Sequence, residues 1–143
     1  RWLWYKNNKT RNYLMKKKFL IVVADYYEEI STGLLNSALE ILPKKSLIKI
    51  IKVPGVFEIP VTISKNIKKY DAFLALGCVI KGQTPHFDFI SSTTTNAIMD
   101  LSVKNKKPIG NGVITCLNQN QAILRKEKGK EAARAVISIL SQK

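Results

Sequence analysis

The 143-residue sequence predicts one α/β domain built on a parallel β-sheet with helices on both faces. Three observations carry that prediction. Apolar, β-branched runs alternate with helical periodicities along the whole chain. The first run, 19–24, is apolar at successive positions rather than at every second one, as a strand buried on both faces must be. No convincing hairpin joins two of them, because Asn111-Gly112 falls inside an apolar run and not between two alternating strands. Such alternation implies right-handed crossovers, which lay the helices on the sheet.

The first fourteen residues, RWLWYKNNKTRNYL, are basic and aromatic without periodicity. They lack the apolar stretch of a secretory signal. They are expected to be a disordered or non-native extension, with the folded domain spanning 15–143. The first strand is 19–24 (FLIVVA). A helix follows over 28–42, with apolar residues at 30, 34, 35, 38, 39, 41 and 42 and with Glu28 and Glu29 in its first turn. Pro43 ends it. The second strand, 46–53 (SLIKIIKV), is punctuated by Pro54-Gly55. A second helix is expected over 57–69, with Pro60 tolerable only in its first turn. The third strand is 72–80 (AFLALGCVI), and a long helix runs from Pro85 to about Val103. The fourth strand, 109–116, is weakened by Gly110 and Gly112. Two terminal helices, 119–126 and 130–140, are expected to separate near Gly129.

Composition narrows the function classes. The chain is long enough to bury a core without disulfides or a structural metal. Its hydrophobic content of 45% excludes a disordered chain. No apolar run approaches the ~18 residues of a membrane span, so no membrane partner is expected. Cys78 and Cys116 lie in apolar segments without CxxC spacing and read as reduced core thiols of a cytoplasmic protein. Metal-ligand spacing is absent, and no metal is expected. The net charge of +14 admits attraction to a polyanion or a lysine-rich composition without a message. Dispersed lysines, with no aromatic-interleaved basic stripe beyond the first residues, favour the second reading, and no nucleic-acid partner is expected.

In open parallel sheets, ligands bind at the carboxyl ends of strands. That rule selects residues 25–27, 54–58, 81–88 and the segment from 116 onward. The third carries the strongest signal. A buried strand ends at Ile80, a glycine loop follows, and Pro85 suits the first position of a helix. Backbone N–H groups of Gln83, Thr84 and His86 would be unpaired there, a ready site for phosphate at the positive end of the helix dipole. Gly82 lets the backbone approach closely, and the Thr84 hydroxyl adds a donor. An ordinary loop with Thr84 as N-cap fits the same residues. The stretch GCVIKGQT (77–84) imitates a nucleotide-binding P-loop, but Gln83 stands where the lysine is needed. His86 is the only histidine; it is either a structural hydrogen-bonder or a proton-transfer group beside the anion site.

VPGVFEIP (53–60), LGCVIKGQTPHFD (76–88) and GVITCLNQNQAILR (112–125) resemble lumazine synthase, a riboflavin-pathway family, in the same order and with similar spacing. The resemblance covers roughly 18–140. It implies a three-layer α/β/α domain with a flavodoxin-like parallel sheet. It implies condensation of 5-amino-6-(D-ribitylamino)uracil with 3,4-dihydroxy-2-butanone 4-phosphate, without a metal or organic cofactor. Tyr26 matches the aromatic that stacks on the pyrimidine. Val56, Phe57 and Glu58 match the segment that holds the pyrimidine and ribityl chain, and Cys78, Val79 and Ile80 match the strand end lining that pocket. Gln83, Thr84 and Arg125 match the phosphate-binding residues, with Gly82 beside them, and His86 matches the catalytic proton-transfer residue. Asn111 stands where many members carry phenylalanine. Lys128 matches a lysine near the substrate only across a shortened segment.

The resemblance further implies a homo-oligomer, a pentamer or a larger shell, with riboflavin synthase as a conceivable protein partner. In it, Asn111, Arg125 and Lys128 enter the site from the neighbouring subunit. The long helix from Pro85 suits this, since Phe87, Phe89, Ile90, Ala97, Ile98, Met99 and Leu101 spread over more than one face. Another phosphosugar-binding enzyme on the same fold, or an inactive shell-forming paralogue, are the competing readings.

Overall fold

A computed structural model of the chain describes residues 8–82 and 87–142. The elements are α1 (Asn8–Met15), β1 (Lys18–Ala24), α2 (Glu28–Ile41), β2 (Leu47–Val53), α3 (Ile59–Asn66), β3 (Ala72–Ile80), α4 (Phe87–Asn105), β4 (Ile109–Cys116), α5 (Gln119–Leu124) and α6 (Lys128–Leu140). The four strands form one sheet in the order β2-β1-β3-β4. Every pairing is parallel, with Ile21 opposite both Ile50 and Leu74, and Val79 opposite Thr115.

Each strand is apolar on both faces where it is central. All nine residues of β3 are buried, and six of the seven in β1. One face packs on α2, α5 and α6 through Phe19, Ile21, Leu34, Leu74, Val136 and Ile137. The other packs on α3 and α4 through Leu20, Val22, Ile59, Ile63, Phe73 and Ile98. The result is the three-layer α/β/α arrangement of flavodoxin-like type, whose strand order reverses between β1 and β3.

Four expectations need correction. The excluded N-terminal segment is helical from Asn8, and Leu14 is fully buried in the α2-side core. Burial of one leucine supplied what the sequence pattern lacked; residues 1–7 lie outside the described residues. The single helix expected over 57–69 is a 3-10 turn, Val56–Glu58, running into α3, which stops at Asn66. The tighter turn places Pro60 at the start of α3, where its missing N–H costs nothing. The helix expected over 119–126 ends at Leu124, with Arg125 as its C-cap. Gly129 does not separate helices but sits inside α6, buried, with its bare Cα against the Leu34 carbonyl. A side chain there would collide with α2, so the glycine marks a close helix crossing.

The long helix keeps a second apolar face. Phe87, Ile90, Ile98 and Leu101 pack toward the sheet, whereas Phe89, Met99 and Val103 are exposed. No helix among the described residues is long and apolar enough to cross a membrane.

Candidate active site

The reversal of strand order leaves a crevice beyond the carboxyl ends of β1 and β3, and the candidate residues gather there. β1 ends at Ala24, and Tyr26 follows it with 65% of its surface exposed. Its ring is held edge-on by Tyr27, with centroids 4.8 Å apart and planes at 90°. Across from it the 3-10 turn presents Val56 and Phe57. A cavity of about 120 Å3 lies between, lined by Tyr26, Gly55, Val56, Phe57, Cys78, Val79 and Ile90. Five of the residues expected at the pyrimidine are thus brought to one place.

Glu58 lies beside this cavity. With Phe57 it lines an adjoining cleft of about 420 Å3, closed by Pro60, Val61, Thr93, Thr94 and Ala97. The carboxylate is turned back toward Gly55, where a Cβ would meet Glu58 Oε1 at 3.2 Å. Ile80 is buried in the α2-side core and is not among the cavity-lining residues. Ile90 was missed by motif reading. It belongs to α4, and only docking of that helix decides which of its apolar residues faces the crevice. Gly55 was passed over as punctuation.

Cys78 packs with Cys116 in the α2-side core. Burial, helped by the neighbouring Cys116 thiol, pushes its thiol up to about 12. A thiol so raised stays protonated at neutral pH and is no nucleophile. The Tyr27 hydroxyl is raised for the same first reason, burial, and then by Tyr26 and Cys78. Among the described residues no group of three or more potential ligands could hold a metal ion.

The loop after β3 starts with Lys81, whose N–H donates to the Cys116 carbonyl at 2.9 Å. Gly82 then takes a left-handed φ of 83°, a conformation that disfavours a side chain although space is open around it. Gln83, Thr84 and His86 lie outside the described residues, between Gly82 and the start of α4 at Phe87.

The remaining candidates sit on the β4 side. Arg125 is exposed, and its Nη1 donates to the Thr115 carbonyl at 3.2 Å. Thr115 is in register with Val79 of the cavity wall, so Arg125 is tied to the strand next to that wall. Asn111 is exposed on the same strand, and its Oδ1 accepts from the Val113 N–H at 3.0 Å. Lys128 pairs with Glu131 at 3.0 Å on the surface of α6. None of the three lines the cavity at Tyr26.

Comparison with known proteins gives one family. The family model for 6,7-dimethyl-8-ribityllumazine synthase matches residues 16–143. The chain is similar to 6,7-dimethyl-8-ribityllumazine synthase of Cutibacterium acnes, 39% identical over 87% of this chain and 80% of that protein. It is 41% identical to the Bartonella tribocorum protein of the same name, over 90% of this chain and 93% of the relative. For the Agrobacterium fabrum protein of that name the identity is 38%, over 91% and 97%.

Proposed function

The chain belongs to the 6,7-dimethyl-8-ribityllumazine synthase family, and from that premise we propose how its crevice carries the reaction. The enzyme joins 5-amino-6-(D-ribitylamino)uracil to 3,4-dihydroxy-2-butanone 4-phosphate in the penultimate step of riboflavin biosynthesis. The amine attacks the ketone and water leaves to give an imine, phosphate is eliminated, and the ring closes with loss of a second water. One observation carries the assignment of roles: the cavity under Tyr26, walled by Val56, Phe57, Cys78 and Val79.

A flat, apolar slot with an exposed aromatic at its mouth suits a pyrimidine, which stacks on Tyr26. Val56, Phe57, Cys78 and Val79 bound the ring, and Glu58 accepts from ribityl hydroxyls in the adjoining cleft. Gly82, Gln83, Thr84 and Arg125 take the phosphate, Arg125 through its fixed fork of donors. His86 moves protons between amine, carbonyl and leaving hydroxyl.

The same reading makes the working unit a ring, most simply a pentamer in the cytoplasm, in which Asn111, Arg125 and Lys128 complete the cavity of the next subunit. Their separation from Tyr26 within one chain supports it, as do Phe89, Met99 and Val103 left exposed on α4. Mixing the purified protein with both substrates should generate the fluorescent lumazine together with inorganic phosphate. Absence of both products from folded protein would overturn the proposal.

A further inference from the structure

Arg125 stands on a three-residue connection, 125–127, between α5 and α6. Local bonds shape it: Arg125 N–H to the Ala122 carbonyl at 3.0 Å, Lys126 N–H to Ile123 at 3.4 Å, and Lys128 N–H to Arg125 at 3.0 Å. These fix the turn's form and leave open where it rests on the body of the domain. That is decided by α2. The buried Ser37 hydroxyl lies 3.2 Å from the Lys126 carbonyl, to which it donates across 89 positions of sequence, and 2.9 Å from the Leu34 carbonyl of its own helix. One turn earlier, Gly33 leaves room for the stem of Lys126. A Cβ on Gly33 would stand 2.6 Å from Lys126 Cδ, 2.7 Å from Cβ and 2.9 Å from Cγ. The outer carbons could swing aside. The Lys126 Cβ cannot, because it is fixed to the backbone, so a methyl at position 33 moves residue 126 and with it Arg125.

We propose that Gly33 and Ser37 are positioning residues for Arg125. They form a seat on α2 that holds the connection so that the guanidinium stays over the Thr115 carbonyl and in reach of the substrate's phosphate. This rests on the reading of Arg125 as the phosphate's partner. Neither residue touches substrate, and both lie on the opposite layer of the domain from the pyrimidine cavity. A purely structural role would lower stability and alter both substrates' constants alike. A positioning role separates them.

The test measures KM for the butanone phosphate and for the pyrimidine, with thermal denaturation, in Gly33→Ala, Ser37→Ala, Lys126→Ala, Arg125→Ala and the double variant Gly33→Ala/Arg125→Ala. Gly33→Ala should raise the butanone-phosphate KM about ten- to a hundredfold, since a misplacement near 1 Å can cost that much. Its pyrimidine KM should stay near that of the parent. Ser37→Ala should shift the same constant in the same direction by less. Lys126→Ala keeps both the carbonyl and the Cβ and should change neither constant. In the double variant Gly33→Ala should add nothing to the loss from Arg125→Ala, because both act through one group. If Arg125→Ala leaves the butanone-phosphate KM unchanged, the phosphate reading falls, and this inference with it. If Arg125→Ala raises it while Gly33→Ala and Ser37→Ala leave it alone, or raise both constants equally, the positioning role is overturned and the phosphate reading stands. Should Gly33→Ala fail to fold, Ser37→Ala, which deletes one oxygen, decides by the same criteria.

Discussion

Replacing Tyr26 by alanine should cripple pyrimidine binding while sparing the fold. The side chain is 65% exposed and follows the end of β1, so it contributes little to the core. Its one described ring contact is the edge of Tyr27 at 4.8 Å, worth about 0.5–1.5 kcal/mol. Stacking of a base on an aromatic contributes about 1–3 kcal/mol by alanine substitution. At 1.4 kcal/mol per factor of ten, the pyrimidine should bind roughly five- to 150-fold more weakly. Tyr26→Phe retains the ring and should stay near the parent. Calorimetric titration of the pyrimidine substrate, with the butanone-phosphate KM as the internal reference, reads this directly. Unchanged pyrimidine affinity in a folded Tyr26→Ala would refute the stacking role. An equal rise for both substrates would instead point to a collapsed crevice.

His86→Gln should lower turnover by about 10²–10⁴, toward the lower end because proximity and solvent carry part of imine formation, with pyrimidine affinity retained; lost binding with turnover intact would make it a structural histidine. Cys78 supplies a pH test. Its thiol, raised from 9.0 to about 12, holds its proton more tightly folded than unfolded. The stability this gives is present below pH 9.0 and is lost as pH rises toward about 12. Urea midpoints should therefore fall across that alkaline window, Cys78→Ala should flatten the fall, and an identical slope in the variant would contradict the burial argument. Tyr27, raised by burial, and Lys130, raised by its hydrogen bond to Glu127, titrate in the same direction and contribute to the residual slope. Shared sites are tested by exchanging subunits between Tyr26→Ala/His86→Ala and Arg125→Ala; regained activity is expected, and none despite demonstrated exchange would refute the shared arrangement.

The fold was legible where burial alone dictates pattern. β3 is an unbroken apolar run because α2 and α6 cover one face and α4 the other, and its length and flanking turns favour a strand. α2 announces itself by Ile30, Leu34 and Ala38, one stripe facing one sheet. Legibility failed where a contact distant in sequence decides. Nothing local marks Leu14 as a core residue; it is buried by joining a cluster whose other members lie far along the chain. Gly129 looked like a helix break, since the sequence cannot distinguish a glycine that ends a helix from one that lets two helices touch. Residues 56–58 wind as a 3-10 turn because Pro60 has no N–H to donate and the chain must first climb out of the crevice.

The site divides in the same way. Tyr26, Val56 and Phe57 were found because they follow the ends of strands, and parallel topology puts all such ends on one side of the sheet; Cys78 and Val79, inside the last residues of β3, came from the family resemblance. Asn111, Arg125 and Lys128 satisfy no such rule within one chain. Arg125 gives one donor to Thr115 and stands exposed, and Asn111 spends its oxygen on the Val113 N–H, leaving the amide nitrogen directed away from its own backbone partner. Volume makes the same division. Pockets that enclose a small ligand run to about 300–1,000 Å3. The slot at Tyr26, about 120 Å3, is smaller than that, so under the proposed function it would hold the pyrimidine ring and leave the second substrate and its phosphate to other surfaces. Imine formation and ring closure each expel water, so they gain from a closed crevice. On the reading proposed above, the remaining walls come from the adjoining cleft at Glu58 and from a surface outside the chain that brings a cation. On that same reading a neighbouring subunit supplies the cation as Arg125, exposed beside its Thr115 carbonyl, with Asn111 as a hydrogen-bonding rather than stacking cover for the ring.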